Sequence, residues 1–338
     1  MPDADLSAVP TEVPSGLRPV IRGLAALVLC LVATAHSPRL SALDAHARTP
    51  SPPVMASLFL DGAAVDDHLV VVGERGHILV SHDAGTSWTQ GEAPTQVTLT
   101  GVDLYDAERG WAVGHDAVIL RTRDAGLTWQ GVFSAPEKEQ PLFDVLFLSA
   151  EHGFAVGAYG LFLETRDGGD TWKSRDMGAG DRHLNQISAA SPSRLYIAAE
   201  AGHVYRSDDG GQSWLALSSP YEGSFFGTLP VDAQRLYLYG LRGHLFYSAD
   251  AGASWRALAS HTRSLLTNGL RTGSNEVVFT GMDGVLLAGD ASGGALTPMQ
   301  RADRLGIAGA LSAGGGALVI YGEFGLARIF PSQLETRP

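Results

Sequence analysis

Apolar residues in this chain fall into short runs cut by glycine, not into the broad stripes of amphipathic helices. Beyond residue 50 one unit keeps returning: an apolar strand ending in Gly-x-x-Gly, a second short apolar strand, and a polar octet closed by tryptophan. Strands of a few residues bounded by such turns read as β-structure. One copy shows the plan, with strands predicted at 98–105, 110–114, 118–122 and 128–132. Four strands per unit of about 41 residues mark a propeller blade.

Five octets are intact: Ser81-His-Asp-Ala-Gly-Thr-Ser-Trp88, Thr122-Arg-Asp-Ala-Gly-Leu-Thr-Trp129, Thr165-Arg-Asp-Gly-Gly-Asp-Thr-Trp172, Ser207-Asp-Asp-Gly-Gly-Gln-Ser-Trp214 and Ser248-Ala-Asp-Ala-Gly-Ala-Ser-Trp255. Their aspartates, Asp83, Asp124, Asp167, Asp209 and Asp250, stand 41, 43, 42 and 41 residues apart, and Asp290 follows in a decayed copy without tryptophan. The Gly-x-x-Gly mark extends the count to seven: Gly73/Gly76, Gly157/Gly160, Gly240/Gly243, Gly281/Gly284 and Gly322/Gly325, with degenerate copies at Gly114/Ala117 and Ala199/Gly202. The predicted fold is therefore all-β, a seven-bladed β-propeller with four-stranded blades over 49–338. The last repeat lacks an evident fourth strand, so residues before Leu58 are expected to supply it and close the ring.

In each octet, an Asp box, the carboxylate is expected to accept backbone N–H groups of a tight turn. Gly85, Gly126, Gly169, Gly211 and Gly252 take the positive-φ position. Trp88, Trp129, Trp172, Trp214 and Trp255 wedge between blades, each indole N–H finding a carbonyl. These residues read as structure, since groups repeated once per blade are spread around a ring.

The leader, 1–48, has a different pattern. An apolar run over 24–35 follows Arg18 and Arg22 and leads into Ala33-Thr34-Ala35 and Ala45-His46-Ala47, the layout of a secretory signal. The run is short of the roughly 20 apolar residues of a free-standing span, and an uncleaved tilted anchor, giving membrane association, stays open as the alternative. The expected location is exported, periplasmic or lumenal. Cys30 is the sole cysteine, so no disulfide forms within the chain.

The net charge of −12, with Lys138 and Lys173 the only lysines, argues against a general nucleic-acid binder. Asp boxes also occur in sialidases, so a glycan-binding or glycoside-hydrolysing propeller is the alternative. It would need an arginine cluster, a tyrosine nucleophile with a glutamate partner, an acid, and an Arg-Ile-Pro motif before the first box. That motif is missing; Ala327-Arg-Ile-Phe330 lies at the wrong end. Asp208-Asp209-Gly210 lacks the remainder of a calcium loop. His77, His203 and His244 share one repeat position, too far apart in a ring to share zinc. No nucleophile elbow, phosphate loop or zinc-protease motif is present. The expectation is no enzyme, no cofactor and no metal.

A uniform set of Asp boxes on one rim leaves the varied Gly-x-x-Gly tips and the long connections 134–141, 173–185 and 218–226 on the other. A constant frame with varied tips is how a scaffold displays a binding surface. Arg75, His115, Tyr159, Arg175, Arg182, Tyr221, Phe225 and Arg242 are the candidate anchors on that face. The alternative for Phe225 and Phe226 is the start of a core strand.

The octets following strands such as Gly110-Trp-Ala-Val-Gly114 and Gly153-Phe-Ala-Val-Gly157 resemble the photosystem II assembly and stability factor family, over nearly all of the chain after the leader. The resemblance implies a non-enzymatic seven-bladed propeller outside the cytoplasm that holds subunits of a membrane protein complex. It also implies docking through an arginine patch, none of whose positions is carried over here by a motif.

Overall fold

The computed structural model describes residues 48–273 and 275–336. Seven antiparallel sheets follow one another along the chain. Blade 1 is Phe59–Val65, His68–Gly73, Ile78–Ser81 and Thr89–Gln90; blade 2 is Leu99–Leu104, Gly110–Gly114, Ile119–Thr122 and Gln130–Phe133. Blades 3, 4 and 5 repeat this meander from Leu142, Leu184 and Phe225. Blade 6 begins at Leu266 and blade 7 at Ile307.

Each blade's first strand packs against the first strand of the next, and the first strands of blades 7 and 1 close the circle around a central channel. Second strands are the buried layer, five apolar or small residues in a row in most blades. Their largest residues, Trp111, Phe154, Tyr196 and Tyr237, are essentially fully buried between blades. Each first strand is bulged near its start, at Asp61, Gly101, Asp144, Gln186, Gly227, Asn268 and Gly309. The bulge bends the strand around the channel. Gly101 is needed there because a Cβ would stand 2.9 Å from the backbone of Asp144 in the next blade.

Ring closure differs from the sequence expectation. Among the described residues before Leu58, Pro52–Met55 forms a helical turn against the third strand of blade 7, and Arg48 bridges to Gln90 of blade 1. Among the described residues blade 7 has three strands, and Glu335–Thr336 pairs with the fourth strand of blade 6. Packing holds the seam: Phe59, Leu69 and Val71 of blade 1 share one apolar cluster with Leu311, Val319 and Tyr321 of blade 7. Pro53 supplies no N–H, and Pro52 starts the helical turn, which does not favour a ladder strand there. The leader features at 18–47, Cys30 included, lie outside the described residues. Among those described, no helix is long and apolar enough to cross a membrane.

Candidate functional site

The Asp boxes form as expected and are structural. In blade 3, Asp167 Oδ1 accepts the N–H of Thr171 at 2.8 Å and the hydroxyl of Thr165 at 2.8 Å, while Thr171 Oγ1 donates to Oδ2 at 2.6 Å. Gly169 sits at φ 86° and donates to Thr165 Oγ1 at 2.9 Å. Donors aimed at the charged carboxylate favour its ionised form. The Thr171 hydroxyl holds Asp167 at about 2, and the Ser213 hydroxyl does the same for Asp209. Such acids are poor proton donors, which removes them as general acids.

The tryptophans obey the expectation only in part. Trp129 donates to Gly126 O at 2.8 Å and Trp255 to Ser218 O at 3.1 Å. Trp172 and Trp214 bury indole nitrogens with no hydrogen-bond partner among the described residues. They serve instead as wedges, edge-on to Phe147 and Phe162. Ring burial outweighs one unmade indole bond at these two positions.

On the opposite rim, the second tip residue in six blades adopts left-handed φ: Arg75, Asp116, Tyr159, Ala201, Arg242 and Asp283 lie between 52° and 58°. This conformation points the side chain outward, and all six are exposed. Arg75 and Arg242 therefore stand where the sequence placed them. His115 is exposed beside Asp116. Tyr159, 56% exposed, lies edge-on to His183 at 4.9 Å. Tyr221 is half-buried and stacks on His244 at 4.0 Å. Arg182 is on the same face, its carbonyl accepting Gly160 N–H, with its guanidinium tied to Ala179 O at 2.7 Å.

Two candidates are corrected. Phe225 is fully buried, packing with Phe246 and Leu238 as the start of a core strand. Arg175 turns to the Asp-box rim, donating to Gly211 O at 3.0 Å, Gln212 O at 2.8 Å and Glu164 at 2.8 Å. Its position just after a two-residue outer strand lets the side chain run along the blade toward the neighbouring box.

The tips are also polarised by charge. Glu74, Glu200 and Glu323 accept N–H groups of Leu58, His183 and Gly306, so their carboxylates cap connections rather than face outward. Arg75, Arg242, Arg263 and Arg304 form no ion pair among the described residues. Three of them form one arc. Gly243 abuts Thr262, Ser264 bonds Asp283, and Gly284 abuts Arg304, which links Arg242, Arg263 and Arg304 across blades 5 to 7. Leu241, Met282 and Leu305, 36–39% exposed, are interleaved with them. Arg263 and Arg304 escaped the sequence reading because each comes from a separate connection, and no local run of basic residues marks them.

A second group missed in the sequence lines the channel. Asp61 Oδ2 accepts Val102 N–H at 2.8 Å, Asp103 Oδ2 accepts Phe147 N–H at 2.6 Å, and Asp144 Oδ2 accepts Ile187 N–H at 2.9 Å. Each carboxylate latches its blade to the next. Burial pushes Asp61 up to about 7 and Asp103 to about 6. Burial, then the charge of Asp61, raises Asp144 well above the usual carboxylate range. The channel at this level holds a cavity of about 100 Å³, with Gln186 and Asn268 completing its wall. That is too narrow for a sugar ring, since ligand sites run to about 300 Å³ and more.

A propeller with one rim built of repeated Asp-box turns, and an arginine and apolar arc on the other, has the build of a display scaffold. The chain belongs to the family described as photosynthesis system II assembly factor YCF48, whose pattern matches residues 54–137 and 132–315. Among curated proteins it is similar to photosystem II assembly protein Ycf48 of Synechococcus sp. strain JA-3-3Ab, 41% identical over 132 residues, and of strain JA-2-3B'a(2-13), 37% over 133. Each match covers 38% of this chain and spans 40% of the relative's length. Solved structures of like fold include YCF48 bound to D1 peptide (20% identity, TM-score 0.64, 81% of this chain and 94% of that one). YCF48 from Cyanidioschyzon merolae is similar at 17% identity and TM-score 0.66, over 84% and 98% of the two chains. A GH74 xyloglucanase from Xanthomonas campestris has a TM-score of 0.64 at 13% identity, over 81% of this chain and 52% of that one. At these identities the likeness is one of fold.

Proposed function

We propose that the chain is an exported scaffold that docks a subunit of a membrane protein complex on its tip face and assists its assembly or stability, as a photosystem II assembly factor does. The observation that carries this reading is the arc of Arg242, Arg263 and Arg304 interleaved with Leu241, Met282 and Leu305. Arginines without acid partners beside exposed apolar groups favour a segment that is itself acidic and apolar, and arginine is enriched among interface anchors. The Tyr159/His183 and Tyr221/His244 pairs extend the surface toward blades 3 to 5. No acid–base chemistry is assigned to the protein. Its raised carboxylates are spent on inter-blade bonds, and the box carboxylates Asp83, Asp167, Asp209 and Asp250 are held ionised by their turns.

The test is affinity capture from detergent-solubilised membranes of the source organism, with wild type and with Arg242→Glu/Arg263→Glu/Arg304→Glu. Wild type is expected to retain a membrane-complex subunit and the charge-reversed protein to lose it. Equal recovery by both proteins overturns the assignment of the face. Glycoside turnover by the purified protein overturns the scaffold reading itself.

A further inference from the structure

Six of the seven inter-blade slots on the Asp-box rim are filled by the box of the following blade. The floor of each slot is a pair of facing residues on the second and third strands. Gly126 of blade 2 rests on Val70 and Val80 of blade 1, and Gly211 of blade 4 on Phe154 of blade 3. The carbonyl of Gly168 accepts Trp111 Nε1 at 3.1 Å, and that of Asp290 accepts the Tyr237 hydroxyl at 2.7 Å. Tyr196 meets Ala251 O in the same way, and Gly85 of blade 1 sits on Val319 of blade 7. In five slots an arginine adds a bond to the box backbone: Arg121, Arg175, Arg206, Arg256 and Arg328.

The seventh slot has no box. The third strand of blade 7 ends at Ile329, and Phe330-Pro331 leads into a helical turn where the other blades place their octet. The space over blade 6 is left as a cavity of about 740 Å³ that opens on the rim. Val278, paired with Ala288, makes its floor in the register that holds Trp111/Arg121 and Tyr196/Arg206 in blades 2 and 4 and Val70/Val80 in blade 1. Pro331 and Ala317 stand on its blade 7 side. The chemistry is inverted as well. Glu276 and Asp290 line this slot, and no lysine, arginine or histidine does among the described residues.

We propose that this slot binds a loop of a second protein, one that inserts a bulky apolar side chain and carries a lysine or arginine beside it. Small floor residues and the missing box together leave room for a side chain where the filled slots hold a glycine turn. The floor lacks the indole or hydroxyl donor that three of the filled slots offer a box carbonyl and, unlike the Val70/Val80 floor, is covered by no box, so its apolar surface is open to a side chain. The two rim carboxylates select a cation where the other slots supply one. The site is on the rim opposite the docking face above and stands independently of what docks there.

The probe is the peptide acetyl-Gly-Ser-Arg-Trp-Arg-Ser-Gly-amide, titrated to millimolar concentration into methyl-labelled full-length protein while the Val278 and Leu318 methyls are followed. Saturable shifts at both are expected, with affinity lower by about tenfold or more when the peptide's tryptophan becomes alanine or its arginines become glutamates. Val278→Trp, which fills the slot from within, is expected to abolish the shifts. Should that variant fail to fold by circular dichroism, Ser312→Trp on the rim serves the same purpose. Absence of saturable shifts, equal binding of all three peptides, or binding that survives the tryptophan substitution overturns the proposal. So do contacts, in the free full-length protein, between the Val278 methyls and residues preceding Arg48, because the chain itself would then fill the slot.

Discussion

Raising the pH from 5 to 8 is expected to weaken the propeller, through the carboxylates that latch blades 1 to 4 around the channel. Asp61 is held near 7 and Asp103 near 6 in the folded protein, against 3.8 for an ordinary aspartate, and Asp144 is raised too. Between about pH 4 and 7 the unfolded chain has released these protons while the fold still holds them, so the unfolded state binds fewer. Stability therefore falls as pH rises through that window, and the loss is complete above the folded values. For Asp61 a full shift of about three units would be worth about 4 kcal/mol, but the groups interact, so on the order of 2 kcal/mol is assigned to each of Asp61 and Asp103. With about 2 °C of melting temperature per kcal/mol in a domain of this size, these two together lower it by roughly 8 °C, and Asp144 acts in the same direction. The assay is thermal unfolding followed by tryptophan fluorescence at constant ionic strength across pH 4.5–8.5. Asp61→Asn/Asp144→Asn keeps acceptors for Val102 and Ile187 but cannot ionise, so its profile should be flatter. A melting temperature that rises with pH, or a slope unchanged in the double variant, refutes the reasoning.

Three other perturbations separate the frame from the display face. Asp167→Ala removes the acceptor of Thr165, Thr171 and the turn N–H; chemical denaturation should show a loss of about 1–2 kcal/mol, limited by the exposure of the turn. Phe225→Ala opens a core cavity between blades 4 and 5 and should cost about 3–5 kcal/mol by the same measurement, whereas a surface anchor would cost almost nothing. Arg242→Glu/Arg304→Glu should leave the melting temperature within about 2 °C of wild type, since neither residue has an ion-pair partner among the described residues, while capture of the membrane partner drops.

The blade count, the Asp-box geometry and the polarity of the two rims were readable because each rests on local chemistry repeated every turn of the ring. An aspartate two residues after Ser or Thr, with glycine following, fixes its own bonds wherever it occurs, as Asp83, Asp124 and Asp250 show. What escaped depends on neighbours distant in sequence. Arg175 follows an outer strand just as a surface residue would, and only the position of Gly211 in the next blade turns it away from the docking face. The channel aspartates are isolated within apolar strands, and their role appears once Val102, Phe147 and Ile187 are set beside them by the ring. Closure differs among the described residues for a related reason: the missing fourth strand of blade 7 suggested a donor from before Leu58, yet Pro52–Met55 forms a helical turn there and the seam is held by packing.

The central claim is that the tip face, not the Asp-box rim, receives the membrane partner. Its most direct test places a photo-crosslinking amino acid at position 242 in one protein and at position 171 in another, with irradiation in intact cells followed by identification of the conjugates. The account predicts a membrane-complex subunit attached at 242 and none at 171. Conjugation of that subunit at 171 with none at 242 would contradict it.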